Sequence, residues 1–176
     1  MAGSLIKIDE EIVTSAVASV ELGGSNWDSS YDVYMVKMSN VEIDTASKYI
    51  AMRVTESGTA NTTTNYDAAY KNLRADTTFN NSNYTNLSYF YTINNVMGNT
   101  VNQTLNGAKY IFNANDSSEY TFFTNEIYAF SNPAILWGNI GVEVFTSNSS
   151  VDGVQFFVFD SGNFDNGTFT LYGLKK

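Results

Sequence analysis

The sequence predicts an all-β protein, an antiparallel β-sandwich of jelly-roll type with about eight or nine strands and at most one short helix. Apolar and polar residues alternate with a period of two over most of the chain, which is the pattern of a half-buried strand. Gly, Asn, Asp and Ser cluster between these segments and favour turns. Aromatic residues make up 15% of the chain, and rings from two facing sheets interlock well in a sandwich core. The main rival is a closed barrel around a ligand cavity, which needs more small inward residues than we find.

Alternation marks four strands in the first part of the chain. The second of them places Tyr34, Val36 and Met38 on one face and their neighbours on the other. The third places Ile50, Met52 and Val54 inward, so these three residues are predicted to lie in the core. The four segments are Ile12–Leu22, Tyr31–Val41, Tyr49–Thr55 and Leu87–Val96.

One segment departs from this alternation. Tyr66, Ala69, Tyr70 and Leu73 follow the spacing of one helix face, and Asn65 precedes them as a possible cap. The pattern favours a short helix and an irregular excursion about equally.

Five further strands are predicted toward the end of the chain, and the last two flank a turn. We predict that these two form a hairpin that completes the sandwich, with Phe156, Val158, Phe169 and Leu171 in the core. Residues 12–176 then form a single sandwich domain, and residues 1–11 are a lead-in that serves as an anchor or as the first strand. The five segments are Leu105–Phe112, Glu119–Phe130, Ile135–Phe145, Val154–Phe159 and Thr168–Leu174.

Composition excludes several classes of function. The net charge of −9 repels phosphate backbones, so we expect no nucleic-acid partner. No apolar run approaches the length of a membrane span, and the first residues lack the apolar stretch of a signal peptide, which favours folding in a cytoplasm. The chain has no Cys and no His, so it lacks thiol chemistry, the usual proton shuttle and the commonest metal ligand. We therefore predict no catalytic residue, no cofactor and no metal site.

Paired carboxylates are the chemistry that composition leaves open, because glycoside hydrolysis needs only two of them. Ordinary turn and surface roles explain the candidates better, since Asp is a common turn residue and carboxylate pairs are nonspecific. The loop Asn115–Glu119 offers oxygens for calcium, but it lacks the spacing of a calcium loop. The carboxylate candidates are Asp9, Glu10, Glu11, Glu119, Glu126, Asp160 and Asp165.

Trp27 and Asp28 form the best candidate for a ligand-binding loop. They follow the polar sequence Gly-Gly-Ser-Asn at positions 23–26, and an exposed Trp ring can stack on a sugar. The plainer reading, which we favour, is that the ring folds back onto the sandwich edge or into a subunit contact.

Several sequence runs together resemble a family of small virion structural proteins of tailed bacteriophages, frequent in marine phages. The most specific is the closing Gly-Thr-Phe-Thr-Leu-Tyr-Gly-Leu-Lys, residues Gly167–Lys175. The similarity spans nearly the whole chain. The other runs are Ser29–Val36, Met52–Thr55, Ser57–Ala60, Asn65–Ala68, Asp152–Phe157 and Ser161–Phe164.

This resemblance implies a jelly-roll-like module assembled on a phage particle in the host cytoplasm. The first reading is a capsid decoration (cement) protein, a homotrimer on the outer head surface that binds the major capsid protein or another virion protein. The alternative is a head or tail fibre tip that binds a receptor or a host surface glycan. Length favours decoration, because 176 residues leave no room for a separate fibre shaft.

Overall fold

The protein consists of two antiparallel sheets, as described by a computed structural model that covers residues 4–175. Within these residues the only helical element is a 3₁₀ turn, Gly24–Asn26. The thirteen strands of the described chain are β1 (Ser4–Val13), β2 (Ser19–Gly23), β3 (Val33–Ile43), β4 (Ile50–Glu56), β5 (Thr59–Ala60), β6 (Tyr66–Arg74), β7 (Asn80–Leu87), β8 (Phe90–Tyr91), β9 (Leu105–Phe112), β10 (Thr121–Phe130), β11 (Leu136–Phe145), β12 (Gly153–Val158) and β13 (Phe164–Lys175).

The large sheet contains eight strands in the order β1-β13-β3-β9-β10-β11-β6-β7. The small sheet has the order β2-β12-β4-β5, and β8 also pairs with β4. All recorded strand pairs are antiparallel. The predicted all-β, two-sheet antiparallel fold is thus confirmed, while the jelly-roll connectivity stays a prediction.

A single aromatic-rich core lies between the inner faces of the two sheets. Phe156 of the small sheet meets Phe169 of the large sheet with ring centroids 5.3 Å apart. Phe90 of the small sheet meets Phe123 of the large sheet at 5.1 Å. The seven residues that the sequence places in the core are all buried: Ile50, Met52, Val54, Phe156, Val158, Phe169 and Leu171.

The segment with helical spacing is strand β6, so both the helix and the irregular excursion are wrong. Its buried positions are Tyr66, Ala68, Tyr70 and Asn72, which alternate with period two. This period of two is hard to see in the sequence, because Ala68 faces inward and Ala69 outward, and because the inward residue Asn72 is polar. Pairing with β7 and β11 on both sides overrides the weak local preference.

Three further predictions need correction. The strand predicted over Ile12–Leu22 is two strands, since β1 ends at Val13 and β2 begins at Ser19. Strand β7 was missed because it is almost wholly polar, and of the predicted Leu87–Val96 only Leu87, the last residue of β7, and Phe90–Tyr91 are strand. The described residues therefore contain more strands than the eight or nine predicted.

The predicted closing hairpin is also wrong, because its two strands belong to different sheets. Strand β12 pairs with β2 and β4 in the small sheet. Strand β13 pairs with β1 and β3 in the large sheet. The turn between them therefore carries the chain from one layer to the other. The lead-in from Ser4 onward forms strand β1 at an edge of the large sheet, and residues 1–3 lie outside the described residues.

Candidate functional site

Strand β10 carries large apolar residues on both of its faces. Its ten residues alternate strictly between buried and exposed positions. The buried side holds Phe123 and Ile127, which belong to the core. The opposite side presents Phe122, Tyr128 and Phe130 to solvent. A strand at the surface of a protein normally places polar residues on its solvent side, so this side of the sheet requires a functional explanation.

The exposed aromatic residues of β10 belong to a wider apolar surface, which we call the outer face. Its seven members expose between 40% and 58% of their surface. At roughly 200 Å² for a fully exposed large residue, they present on the order of 700 Å², which exceeds the largest apolar patch of a typical monomer. The members are Tyr110 of β9, Phe122, Tyr128 and Phe130 of β10, and Leu136, Ile140 and Val142 of β11.

The outer face carries few charges, and their signs alternate along one row. Register places Glu126 of β10 between Ala108 of β9 and Ile140 of β11. The same row continues to Lys37 on β3 and Lys71 on β6. On its other side the row continues through Thr170 of β13 to Glu10 of β1, so its two negative and two positive charges balance, in a chain whose net charge is −9.

A groove interrupts the outer face at Gly138, because this residue has no side chain to fill the space. Leu73, Phe79, Tyr128 and Leu136 surround this position. Phe79 itself exposes 56% of its surface. A flat sheet with an apolar groove offers a complementary surface for a protruding apolar side chain of another protein.

The inner face of the same strands contains a second unusual group, a buried ion pair. Lys109 of β9 and Glu143 of β11 are both fully buried, and Lys109 Nζ lies 2.6 and 2.8 Å from the two carboxylate oxygens. The Tyr70 hydroxyl lies 2.8 Å from Glu143 Oε1. Burial lowers the pKa of Lys109, and the neighbouring carboxylate opposes that shift. Burial, together with the negative charge of Glu143, raises the pKa of Tyr70 well above its ordinary value.

Three buried asparagines lie on the same inner face, and one of them, Asn125, is the cross-strand neighbour of Lys109. Asn125 Nδ2 donates to Asn139 Oδ1 at 3.2 Å, and Asn72 Nδ2 donates to Ser82 Oγ at 2.7 Å. Asn125 Oδ1, Asn72 Oδ1 and Asn139 Nδ2 have no hydrogen-bond partner among the described residues. A buried polar atom without a partner costs about 1–3 kcal/mol, so this group is not explained by stability.

The Trp27–Asp28 loop is anchored to the sandwich. The Trp27 ring stacks on Tyr34 with centroids 3.9 Å apart, and its Nε1 donates to Asn115 Oδ1 at 2.9 Å. One face of the ring is therefore covered, while Asp28 stays exposed. Hydrogen bonds from the side chain and the backbone N–H of Ser30 lower the pKa of Asp28. A ligand-binding role for this loop stays a prediction.

Several of the carboxylates singled out in the sequence have structural partners. Asp9 accepts from the backbone N–H of Gly23 at 2.9 Å, and Asp160 Oδ2 lies 3.3 Å from Lys48 Nζ. Glu119 precedes β10, so it does not share a strand with Glu126. Asp116 accepts from the backbone N–H of Ser118 within the loop Asn115–Glu119, an ordinary turn contact. Across residues 4–175, no three Cys, His, Asp or Glu side chains group as a metal site.

Sequence reasoning missed both the outer face and the buried ion pair. A signal for each existed in the alternation. In the segment Leu105–Phe112, Lys109 shares its parity with the inward Leu105 and Ile111. In β10 the odd-numbered and the even-numbered positions both carry large apolar residues.

Among residues 4–175, no helix is long and apolar enough to cross a bilayer. Comparison with models of known families, with curated proteins and with solved structures finds no match.

Proposed function

We propose that this chain is a virion structural protein, a capsid decoration (cement) protein that binds the outside of a tailed-phage head through protein–protein contacts. The observation that carries the proposal is the outer face, an apolar surface on a rigid sheet. The sequence resemblance to small tailed-phage virion proteins supplies the kind of partner, the major capsid protein or another virion protein. The homotrimeric state and the location on the virion rest on that resemblance alone.

The size of the outer face suits such a contact. A stable protein–protein interface buries roughly 800 Å² on each partner, and the outer face alone offers on the order of 700 Å² of apolar surface. Aromatic residues are enriched at the centre of interfaces because they bury much area at little entropic cost. Tyr128 and Phe130 are therefore the expected anchors.

Cementing follows from mass action. A protein that binds only the assembled capsid lattice lowers the free energy of that lattice and leaves the free subunits unchanged. Many copies, each bound through a moderate interface, then add up to a large stabilisation of the shell. The activity needs a complementary surface and a rigid support, which a sheet hydrogen-bonded on both sides of β10 provides.

The test uses particles of the phage that encodes this chain, stripped of the protein and then supplied with purified copies. We expect wild-type protein to rebind and to raise the temperature at which the capsids rupture. The variant Ile140→Lys should bind at least about tenfold more weakly, because a lysine charge would be desolvated in the contact.

The matched control is Ile12→Lys, which introduces the same charge at a residue of edge strand β1 that is 62% exposed. This variant should rebind like the wild type. Two results would overturn the proposal: stripped capsids that keep their rupture temperature, or a chain found on fibres or tails. The second result would favour a fibre tip that contacts the host.

A further inference from the structure

The ion pair of Lys109 and Glu143 occupies an unusual place for two charges. Both side chains are fully buried, and the Phe90 ring centroid lies 5.9 Å from Lys109 Nζ. Desolvating two ions in a protein interior often costs more than their attraction returns, and an apolar pair of similar volume commonly serves stability as well or better. The pair therefore calls for a chemical explanation.

Register places an amide beside this pair. Asn125 of β10 is the direct cross-strand neighbour of Lys109, and both side chains are buried on the inner face. Side chains of directly opposed residues begin about 5 Å apart. Lys109 lies on β9 and Glu143 on β11, so the lysine side chain must cross β10 to reach the carboxylate. Its path runs between Asn125 and Phe123, which is the inner-face neighbour opposite Glu143.

The side-chain amide of Asn125 has a hydrogen-bond partner for its nitrogen but none for its oxygen. Its Nδ2 donates to Asn139 Oδ1, whereas its Oδ1 has no hydrogen-bond partner. Opposite Asn125 on β11 is Gly141. A Cβ at Gly141 would lie 3.1 Å from Asn125 Oδ1, so the missing side chain leaves room for the amide.

We propose that Lys109 and Asn125 form an intramolecular isopeptide bond, with Glu143 as the proton-transferring group. A lysine nucleophile, an amide carbonyl and a buried carboxylate within reach of the lysine nitrogen are the parts that this reaction requires. All three lie on the inner faces of adjacent strands, so folding itself brings the reactants together and no external reagent is needed.

The reaction balances as follows. Glu143 takes a proton from the Lys109 ammonium, and the neutral amine attacks Cγ of Asn125. The new C–N bond forms as the carbonyl π electrons move to Oδ1. Glu143 then passes a proton to the amide nitrogen Nδ2 and takes a second proton from the lysine nitrogen. The Cγ–Nδ2 bond breaks, one ammonia molecule leaves, and Glu143 ends protonated.

Three features of the site favour the reaction. The ammonium and the carboxylate are both replaced by neutral groups, so the desolvation cost of the buried charges disappears. Burial lowers the pKa of Lys109, which increases the share of the reactive neutral amine. Water is excluded from the inner face, so bulk solvent does not reprotonate a transient neutral amine before it reacts.

The test is the mass of the purified full chain, measured after denaturation. We expect a mass below that calculated from the sequence by one ammonia molecule. A protease digest should contain a branched peptide joining the segments around Lys109 and Asn125, and trypsin should no longer cut after Lys109. Lys109→Met and Glu143→Gln should each restore the calculated mass, whereas the matched control Lys37→Met, at an exposed lysine of β3, should keep the deficit.

A wild-type chain of full calculated mass with no branched peptide would overturn the proposal. So would a deficit that persists in Lys109→Met, because the sequences Asn106-Gly107 and Asn166-Gly167 can also lose ammonia by closing a succinimide ring. If Lys109→Met fails to fold, the wild-type digest still decides, since a succinimide gives a linear peptide and the isopeptide gives a branched one.

Discussion

Gly141 shows how the buried cluster depends on a single missing side chain. A Cβ at this position would lie 2.4 Å from Tyr70 Cδ1 and 2.6 Å from the backbone oxygen of Ala69. The Tyr70 ring therefore occupies the space above the glycine, and its hydroxyl reaches Glu143 from there. A larger residue at position 141 would displace the ring and weaken that hydrogen bond.

We predict that Gly141→Ala destabilises the protein by about 1–3 kcal/mol, the usual cost of an inserted group in a packed interior. Urea unfolding followed by circular dichroism measures this. The matched control is Gly138→Ala on the same strand, where the new Cβ meets only the Leu73 side chain at 3.3 Å or more. That variant should lie close to wild type, and equal losses in both variants would contradict the prediction.

At this scale the sequence predicts apolar burial better than polar burial. Alternation alone is enough to predict that Ile50, Met52 and Val54 are buried, because burial of an apolar side chain stabilises the fold whichever strands surround it. It does not suffice for Lys109, Asn125 and Glu143, since a charged or amide side chain is expected at the surface. Their burial depends on partners that come from neighbouring strands, and strand pairing is not visible in local sequence.

At the scale of strands, the path from β12 to β13 changes how the end of the chain stabilises the fold. In a hairpin the two strands would stabilise each other by backbone hydrogen bonds within one sheet. Here each strand is central to a different sheet, with neighbours on both sides. The contact between them is made by side chains across the core, chiefly Phe156 with Phe169.

We predict a coupling energy of about 0.5–1.5 kcal/mol between Phe156→Leu and Phe169→Leu in a double-mutant cycle, because their rings contact each other directly. Chemical denaturation of the two single variants and the double variant gives this value. The control cycle pairs Phe169→Leu with Phe122→Leu, on the outer face, and should be additive within about 0.5 kcal/mol. Additivity in both cycles would show that the two rings are energetically independent.

Local pattern predicts strands well where one face is apolar and fails where it is not. Strand β7 is polar along nearly its whole length, and β6 has small or polar residues at inward positions. Both are strands because an existing sheet edge offers hydrogen-bond partners, which is a tertiary effect. For the same reason the sequence could predict two antiparallel sheets but not the order of strands within them.

At the scale of the whole molecule, buried tyrosines couple folding to alkaline pH. Desolvation raises the pKa of Tyr66 and of Tyr70 above the ordinary value near 10, and both side chains are almost fully buried. Above that ordinary value the unfolded chain releases these protons while the folded chain keeps them. Their contribution to stability is therefore complete below about pH 10 and is lost as pH rises further.

We predict that the free energy of unfolding falls above pH 10, by up to about 1.4 kcal/mol per pH unit for each of the two tyrosines, Tyr66 and Tyr70. Urea titrations at successive alkaline pH values measure the slope, and phenolate absorbance reports ionisation. Part of the phenolate signal should appear only together with unfolding. If all tyrosines ionise near pH 10 while the protein stays folded, the predicted coupling is absent.

Strand β10 carries apolar residues on its exposed side as well as its buried side, and this affects how readily the free protein associates with itself. Two apolar outer faces gain free energy of burial by contact with each other, and the net charge of −9 on every copy opposes that approach. That repulsion acts over roughly 10 Å at 0.1 M salt and shrinks as salt rises, whereas apolar attraction does not weaken. The acidic composition therefore opposes self-association through the apolar outer face, and this protection weakens as the salt concentration rises.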